Sequence, residues 1–168
     1  MPATYDCIAT TTISGTSTNS VTFSSIPGTY TDLRVVYSGG WTTGWGYVVF
    51  WLRINGDTGS NYSSTYMQSY SSAVTTTRES NQTNMYLNYS QDAGAANCVV
   101  SFDVMNYSNS TTFKTVLAEG RQGNYGTSTA VGLWRSTSAI TSLEIRLADS
   151  VPKFTNGAVI SIYGIKAA

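Results

Sequence analysis

The sequence contains no histidine among its 168 residues and only two cysteines. The absence of histidine excludes Ser-His-Asp and Cys-His catalysis, histidine-ligated zinc and pH switching by an imidazole. Cys7 and Cys98 lie too far apart in sequence to form a CxxC motif, and the sequence leaves open whether they pair. No GxxxxGK[ST] or helix-opening GxGxxG motif is present either. We therefore expect no cofactor and no enzymatic activity.

Charge is also scarce, since only 11% of residues are charged and the net charge is zero. The nine Lys and Arg residues are not clustered, so the basic surface that nucleic-acid binding needs is absent. No apolar run approaches the roughly 20 residues of a membrane span. The N-terminus lacks the basic and apolar regions of a secretory signal. We expect no nucleic-acid partner, no membrane partner and synthesis in a cytoplasm.

Serine and threonine are abundant instead, with 48 residues in total, and 12% of residues are aromatic. Aromatic content and zero net charge argue against disorder, which requires few aromatics and high net charge. Ser, Thr, Tyr and Val suit the solvent-facing side of a β-sheet that avoids charge.

Helical periodicity is nearly absent, whereas short alternating segments recur between turn sequences such as "IPGTYTD" and "QDAGAAN". In one segment Leu143, Ile145 and Leu147 alternate with Glu144 and Arg146. In another, Phe102 and Val104 alternate with Ser101 and Asp103. Ten or so strands at this spacing predict an all-β protein. We expect a single domain over residues 1–168, a jelly-roll-like β-sandwich of two antiparallel sheets with about four strands each.

The polar stretch "INGDTGSNY" follows the apolar run "YVVFWLR" and has two interpretations. Asn55, Asp57 and Asn61 alternate and offer oxygen ligands, so they are a candidate calcium site, although the spacing departs from that of an EF-hand. Alternatively, Asn55 and Gly56 supply positive φ in a turn while Asp57 and Asn61 cap the backbone. The turn is the favoured interpretation, because a single carboxylate would bind calcium only weakly.

The second conspicuous stretch is "SGGWTTGWGYVVFW". Trp51, Val49 and Tyr47 have strand spacing and are predicted to face the core. Trp41 and Trp45 lie among glycines, where a regular strand is not expected. Their rings either form a binding surface for a protein or a sugar, or fold back over an open end of the sandwich.

Glycoside hydrolysis is the enzymatic alternative, because it requires only two carboxylates at a suitable separation. Candidates near predicted loops are Asp57, Glu79, Asp92 and Glu119. Nothing in the sequence places any two of them in one cleft.

Three segments resemble small β-sandwich proteins of tailed-bacteriophage virions: "VTFSSIPGTYTDLRVVYSG", "LRINGDTGSNYSSTYM" and the C-terminal "ISIYGIKAA". The resemblance covers the first 70 or so residues and the last ten. The motif residues are Ser25 to Leu33 and Asn55 to Tyr62. Relatives with this pattern include capsid decoration proteins and parts of tail fibres, and no catalytic residues come with it.

The resemblance implies a structural virion protein, and the compact length without a fibrous segment favours a capsid decoration, or cement, protein. Its partners would be the major capsid protein and further copies of itself, as a trimer or, next, a dimer. The residues predicted to contact a partner are Trp41, Trp45, Tyr47 and Tyr30. The alternative is a receptor-binding module at a tail or fibre tip that recognises host surface glycans.

Overall fold

The computed structural model describes residues 4–42, 47–70, 72–91, 98–122, 126–148 and 151–166. These residues form twelve β-strands and no helix. In chain order the strands are β1 (Tyr5–Thr12), β2 (Ser20–Phe23), β3 (Asp32–Gly39), β4 (Tyr47–Ile54), β5 (Tyr62–Tyr70), β6 (Ala73–Gln82), β7 (Met85–Gln91), β8 (Cys98–Val104), β9 (Lys114–Gln122), β10 (Gly126–Trp134), β11 (Leu143–Leu147) and β12 (Val159–Ile165).

The strands form two antiparallel sheets. The larger sheet has eight strands in the order β1-β12-β3-β8-β9-β10-β5-β6, and the smaller has four in the order β2-β11-β4-β7. This confirms the predicted all-β sandwich of two antiparallel sheets. The expected division into about four strands each is wrong, because most strands join one wide sheet and because β6 was not predicted.

The core lies between the sheets and is built by alternation along the strands. In β8, Phe102 and Val104 are buried while Ser101 and Asp103 point outward, as their spacing predicts. In β11, Leu143, Ile145 and Leu147 are buried between half-buried charged residues, again as predicted. Burial of these side chains is the main favourable contribution to folding.

An aromatic cluster joins the two sheets at one end of the core. Tyr37 of β3 and Phe50 of β4 place their ring centroids 5.0 Å apart, and Phe154 lies 5.4 Å from Tyr37. Trp41 packs edge-on against Phe50 at 6.0 Å. Because the strands of this cluster come from different sheets, its packing fixes how the sheets sit on each other.

Strand β4 corrects one prediction about which residues face the core. Phe50, Leu52 and Ile54 belong to the central cluster of buried side chains, as does Val48. Trp51 is half-buried on the opposite face, where the Arg146 guanidinium lies 5.6 Å from its ring centroid. The apolar run is continuous, so its alternation could not reveal which face is inward.

The two cysteines are both free in the structure. Cys98 is buried and Cys7 is exposed. Burial raises the pKa of the Cys98 thiol to about 12. A thiol with so high a pKa stays protonated at neutral pH and is unreactive.

Candidate functional site

The most distinctive surface is the outer face, defined as the side of the eight-stranded sheet that points away from the four-stranded sheet. Nine large apolar side chains are exposed among the described residues. Six occupy outward positions of the eight-stranded sheet: Tyr5, Met67, Val74, Val99, Leu117 and Val131. Of these, Leu117, Val131 and Met67 lie on the adjacent strands β9, β10 and β5, and a contiguous group of exposed apolar side chains is typical of binding surfaces.

The strand register places side chains of opposite character side by side across the outer face. Leu117 of β9 lies opposite Val131 of β10, and Val131 lies opposite Thr65 of β5. On its other side, Leu117 lies opposite Asp103 of β8, and Asp103 lies opposite Arg34 of β3. Leu117 and Val131 therefore form an apolar centre, and the charged pair of Arg34 and Asp103 lies beside it.

An open groove of about 530 Å³ follows this arrangement. Its lining combines the apolar centre with hydroxyl groups of Thr65, Thr76, Ser101 and Thr129 and with three charged side chains, Arg34, Asp103 and Glu119. A second depression of about 230 Å³ shares Thr65 and Val131 with the groove and adds Arg78. Together they cross the strands from β3 to β6.

The charged end of the groove is built around Asp103. Its Oδ2 accepts a hydrogen bond from Arg34 at 3.3 Å. Its Oδ1 is buried and has no hydrogen-bond partner among the described residues. Burial raises the pKa of this carboxyl, Arg34 opposes that shift, and the negative charges of Asp32 and Glu119 add to it. Arg34 thus limits how far burial raises the pKa of Asp103.

The stretch "INGDTGSNY" forms the loop between β4 and β5, and the structure confirms that it is a turn. Asn55 has φ of 52° and Gly56 has φ of 67°, the left-handed values predicted for this pair. The Asn55 Oδ1 accepts hydrogen bonds from the backbone N–H groups of Thr141 and Ser142 at 2.9 and 3.0 Å. Asn55 therefore ties this turn to the start of β11.

Asp57 and Asn61 complete the loop through hydrogen bonds. The Asp57 Oδ1 accepts the Gly59 N–H at 2.8 Å, and its Oδ2 accepts from the Asn61 amide at 2.9 Å and from Trp134 Nε1 at 2.7 Å. Asn61 thus directs its nitrogen, not its oxygen, at the carboxylate. In this turn the three side chains are engaged by hydrogen bonds, and calcium binding by Asn55, Asp57 and Asn61 stays a prediction.

The hydrogen bonds also determine the ionisation of Asp57. Burial alone would raise the pKa of its carboxyl, but the donors on Trp134, Asn61 and Gly59 outweigh burial and leave the pKa below its usual range. The loop is therefore built around a carboxylate that is ionised at neutral pH.

The predicted partner-contact residues have separate outcomes. Trp41 is only 1% exposed and packs in the aromatic cluster, so it is a core residue rather than a surface platform, which is the packing alternative that the sequence left open. Trp45 lies outside the described residues. Tyr47 is the first residue of β4, and its side chain lies outside the described part of the structure.

Tyr30 is half-buried beside the last strand. Its ring occupies the space where a Cβ on Gly164 would stand, with ring atoms 2.3 to 2.4 Å from that position. The Lys166 ammonium lies 5.5 Å from the ring centroid. Tyr30 therefore holds the turn after β2 against β12, and contact with a partner stays a prediction for this residue.

The carboxylates of the hydrolase alternative that the structure describes lie on separate elements. Asp57 is held in the β4–β5 loop, whereas Glu119 points outward from β9 beside Arg121, at 3.2 Å. Glu79 lies on β6, and Asp92 lies outside the described residues. Within the described ranges, no group of three or more His, Cys, Asp or Glu side chains is placed to hold a metal ion.

Sequence reasoning missed the residues of the outer face. Asp103, Leu117 and Val131 were assigned only to strand patterns, because each is an ordinary member of an alternating segment. A usable signal existed in β9 and β10, where apolar residues occupy positions on both faces. In the parts of the chain that the structure describes, no helix has the length and apolarity to cross a membrane.

Comparisons with known proteins find similarity only to solved structures, and it is low. No family model matches the sequence, and no curated protein matches it. Among solved structures, the chain is similar to an alginate lyase in complex with an alginate tetrasaccharide, with a TM-score of 0.34, 9% identity, and coverage of 83% of this chain and 72% of the lyase.

Two other solved structures show a similar degree of likeness. A galectin from Caenorhabditis elegans has a TM-score of 0.33 and 10% identity, with coverage of 88% of this chain and 90% of the galectin. A scytalido-glutamic peptidase has a TM-score of 0.33 and 12% identity, with coverage of 85% and 74%. These TM-scores are too low to carry an argument about activity or ligand.

Proposed function

We propose that this chain is a structural virion protein, a capsid decoration protein that stabilises a phage head by bridging capsid subunits. The observation that carries the proposal is the outer face, with its concentration of exposed apolar side chains. The chain acts by adhesion, without catalysis, cofactor, nucleic acid or membrane. Its partners are the major capsid protein and further copies of itself, and it is located on the capsid surface.

The chemistry of the outer face supports a protein partner. Stable interfaces have an apolar centre and a polar rim. Leu117 and Val131 form such a centre, and Arg34 with Asp103 on one side and Arg78 on the other supply the rim. A standard interface buries about 800 Å² on each partner, an area that a face eight strands wide can provide.

The scarcity of strong ion pairs also fits a particle that meets changing salt. The four ion pairs of the described residues all retain some solvent exposure, and the most exposed joins Arg121 and Glu119. Exposed pairs contribute about 0–1 kcal/mol each and are screened by salt. Stability and adhesion of this chain therefore depend on apolar contact rather than on charge.

The resemblance in sequence directs the proposal to virions. The residues that carry it, Asn55 to Tyr62 and Ser25 to Leu33, build the β4–β5 loop and the turn under Tyr30. Both segments stabilise the sandwich, which is consistent with a motif shared by proteins of several virion locations.

Leu117→Thr combined with Val131→Thr tests the outer face. Threonine retains β-propensity but removes apolar area, so we expect the variant to fold and its occupancy on purified capsids to fall at least tenfold. The matched control is Val151→Thr, since Val151 is as exposed as Leu117, at 48%, but lies outside the strands. Equal occupancy of wild type and double variant would refute the assignment of this face.

A second candidate function is recognition of host surface glycans by a module at a tail or fibre tip. The groove favours it, because hydroxyl groups of Thr65, Thr76, Ser101 and Thr129 lie near the Arg34–Asp103 pair. A glycan array probed with the purified chain tests it. Binding that is lost in Arg34→Ala would support glycan recognition, and an array without signal would remove this candidate.

A further inference from the structure

Strand β6 is an unprotected edge of the eight-stranded sheet. It is the last strand in the sheet order, so one side of its backbone pairs with no other strand among the described residues. Side chains at positions 73 to 78 are all exposed, including Thr75 and Thr77, which point to the side on which the four-stranded sheet packs. The smaller sheet therefore does not extend over β6, and both faces of the strand meet solvent.

The other three sheet edges carry features that discourage pairing. β1 has a bulge between Cys7 and Ala9, and β2 has only four residues. In β7 the pairing with β4 shifts between Phe50 and Trp51. Bulges and short length are the usual protections of edge strands.

β6 lacks such protection over most of its length. Its pairing with β5 shifts only near its end, where Asn81 has φ of 56°. From Ala73 to Glu79 the strand is regular, contains no proline and is rich in threonine, which has high β-propensity. A regular, exposed edge of seven residues is a template for another strand.

We propose that β6 pairs antiparallel with β6 of a second copy of this chain across a twofold axis, which joins two eight-stranded sheets into one. This proposal is independent of the virion role, and it favours the dimer, which the sequence analysis placed second to a trimer. A twofold contact of identical edges is closed, so it does not propagate into a filament.

The charges of β6 and of the whole chain agree with self-pairing. The chain has zero net charge, so two copies meet without net repulsion. A twofold axis normal to the sheet keeps the outer faces of both copies on one side. A register centred on Thr76 or Thr77 then places Arg78 opposite Val74 or Thr76, and no like charges face each other.

Proline substitution tests the backbone contact. Neighbouring residues in a strand direct their N–H groups to opposite sides. One of Thr76 and Thr77 therefore directs its N–H to the free edge and not to β5, and proline at that position removes no hydrogen bond between β5 and β6. We expect the variant at that position to retain a cooperative unfolding transition and to be monomeric by light scattering, where the wild type has twice the chain mass. A wild type that is monomeric at high protein concentration would overturn the proposal.

Cysteine crosslinking tests the register without depending on proline. In a Cys7→Ser background, Thr76→Cys or Thr77→Cys should give a disulfide-linked dimer, because residues on the axis face their own copies at bonding distance. Thr115→Cys, exposed on the interior strand β9, is the matched control and should stay monomeric. Equal crosslinking at position 115 and on β6, or none on β6, would contradict the pairing.

Discussion

At the scale of single residues, Asp57 joins the β4–β5 loop to a distant strand through its hydrogen bonds. Its carboxylate accepts hydrogen bonds from Gly59, Asn61 and Trp134, while its backbone oxygen accepts from the Tyr62 hydroxyl at 3.0 Å. The sequence predicted the turn from Asn55 and Gly56, whose backbone preferences are local. It could not predict Trp134, because that contact joins residues far apart in the chain.

Asp57→Asn should lower the free energy of unfolding at pH 7 by about 1–2 kcal/mol, because hydrogen bonds to a charged acceptor are lost at a partly solvated site. Urea denaturation measures this. Since the folded-state pKa is lowered, the contribution is present above the usual pKa of a carboxyl and disappears as pH falls through the folded value. The difference between wild type and variant should therefore shrink in acid. Glu119→Gln, at an exposed ion pair, is the control and should change stability by less than about 0.5 kcal/mol.

Buried weak acids predict a loss of stability at alkaline pH. Burial raises the pKa of Cys98 to about 12 from 9.0, and burial raises that of Tyr62 to about 12 from 10.0. A raised folded-state pKa gives a contribution that is complete below the unfolded value and is lost as pH rises toward the folded value. Stability should fall from about pH 9, by about 1.4 kcal/mol per pH unit for each group that titrates.

Cys98→Val tests the part of the stability loss that begins at the lowest pH, which is assigned to the Cys98 thiol. The variant removes the thiol while retaining an apolar side chain, so its stability should begin to fall about one pH unit later than that of the wild type. Cys7→Ser, at an exposed thiol, should follow the wild-type curve. Identical curves for Cys98→Val and wild type would show that burial of this thiol does not control the alkaline transition.

At the scale of elements, alternation decided which strands could be predicted. Strands with one buried face, such as β8 and β11, were predicted with the correct inward residues. β4 was predicted as a strand, but the predicted inward residues Val49 and Trp51 lie opposite the central cluster, because its apolar residues are continuous. Val49 is buried all the same, and Trp51 is half-buried. β6 was missed, because a strand exposed on both faces has no apolar alternation to detect.

Strand β12 depends on a glycine that makes room for an aromatic ring. Gly164→Ala would place a Cβ within 2.3 to 2.4 Å of three Tyr30 ring atoms, so the ring must move away from β12. We expect a loss of about 1–3 kcal/mol in the free energy of unfolding, as for other overpacked sites. Gly28→Ala is the control, since the nearest atom to its added Cβ lies 3.9 Å away. Equal stability of both variants would show that Tyr30 does not pack tightly on β12.

At the scale of the whole molecule, the sandwich is asymmetric in a way that composition did not indicate. Eight strands face four, so the larger sheet has an outer face and an edge that the smaller sheet does not cover. The fold class followed from the sequence because period-two patterns are local. The candidate surface did not, because its residues come from separate strands that only the sheet order brings together.

The central proposal, a decoration protein of a phage capsid, is tested most directly by copy number. Quantitative mass spectrometry of virus particles purified from the source of this chain measures its ratio to the major capsid protein. Because decoration proteins occupy repeated positions on a shell, we predict a copy number comparable to that of the capsid subunits. A few copies per particle would instead place the chain in the tail and favour glycan recognition. Complete absence from the particle would contradict the account.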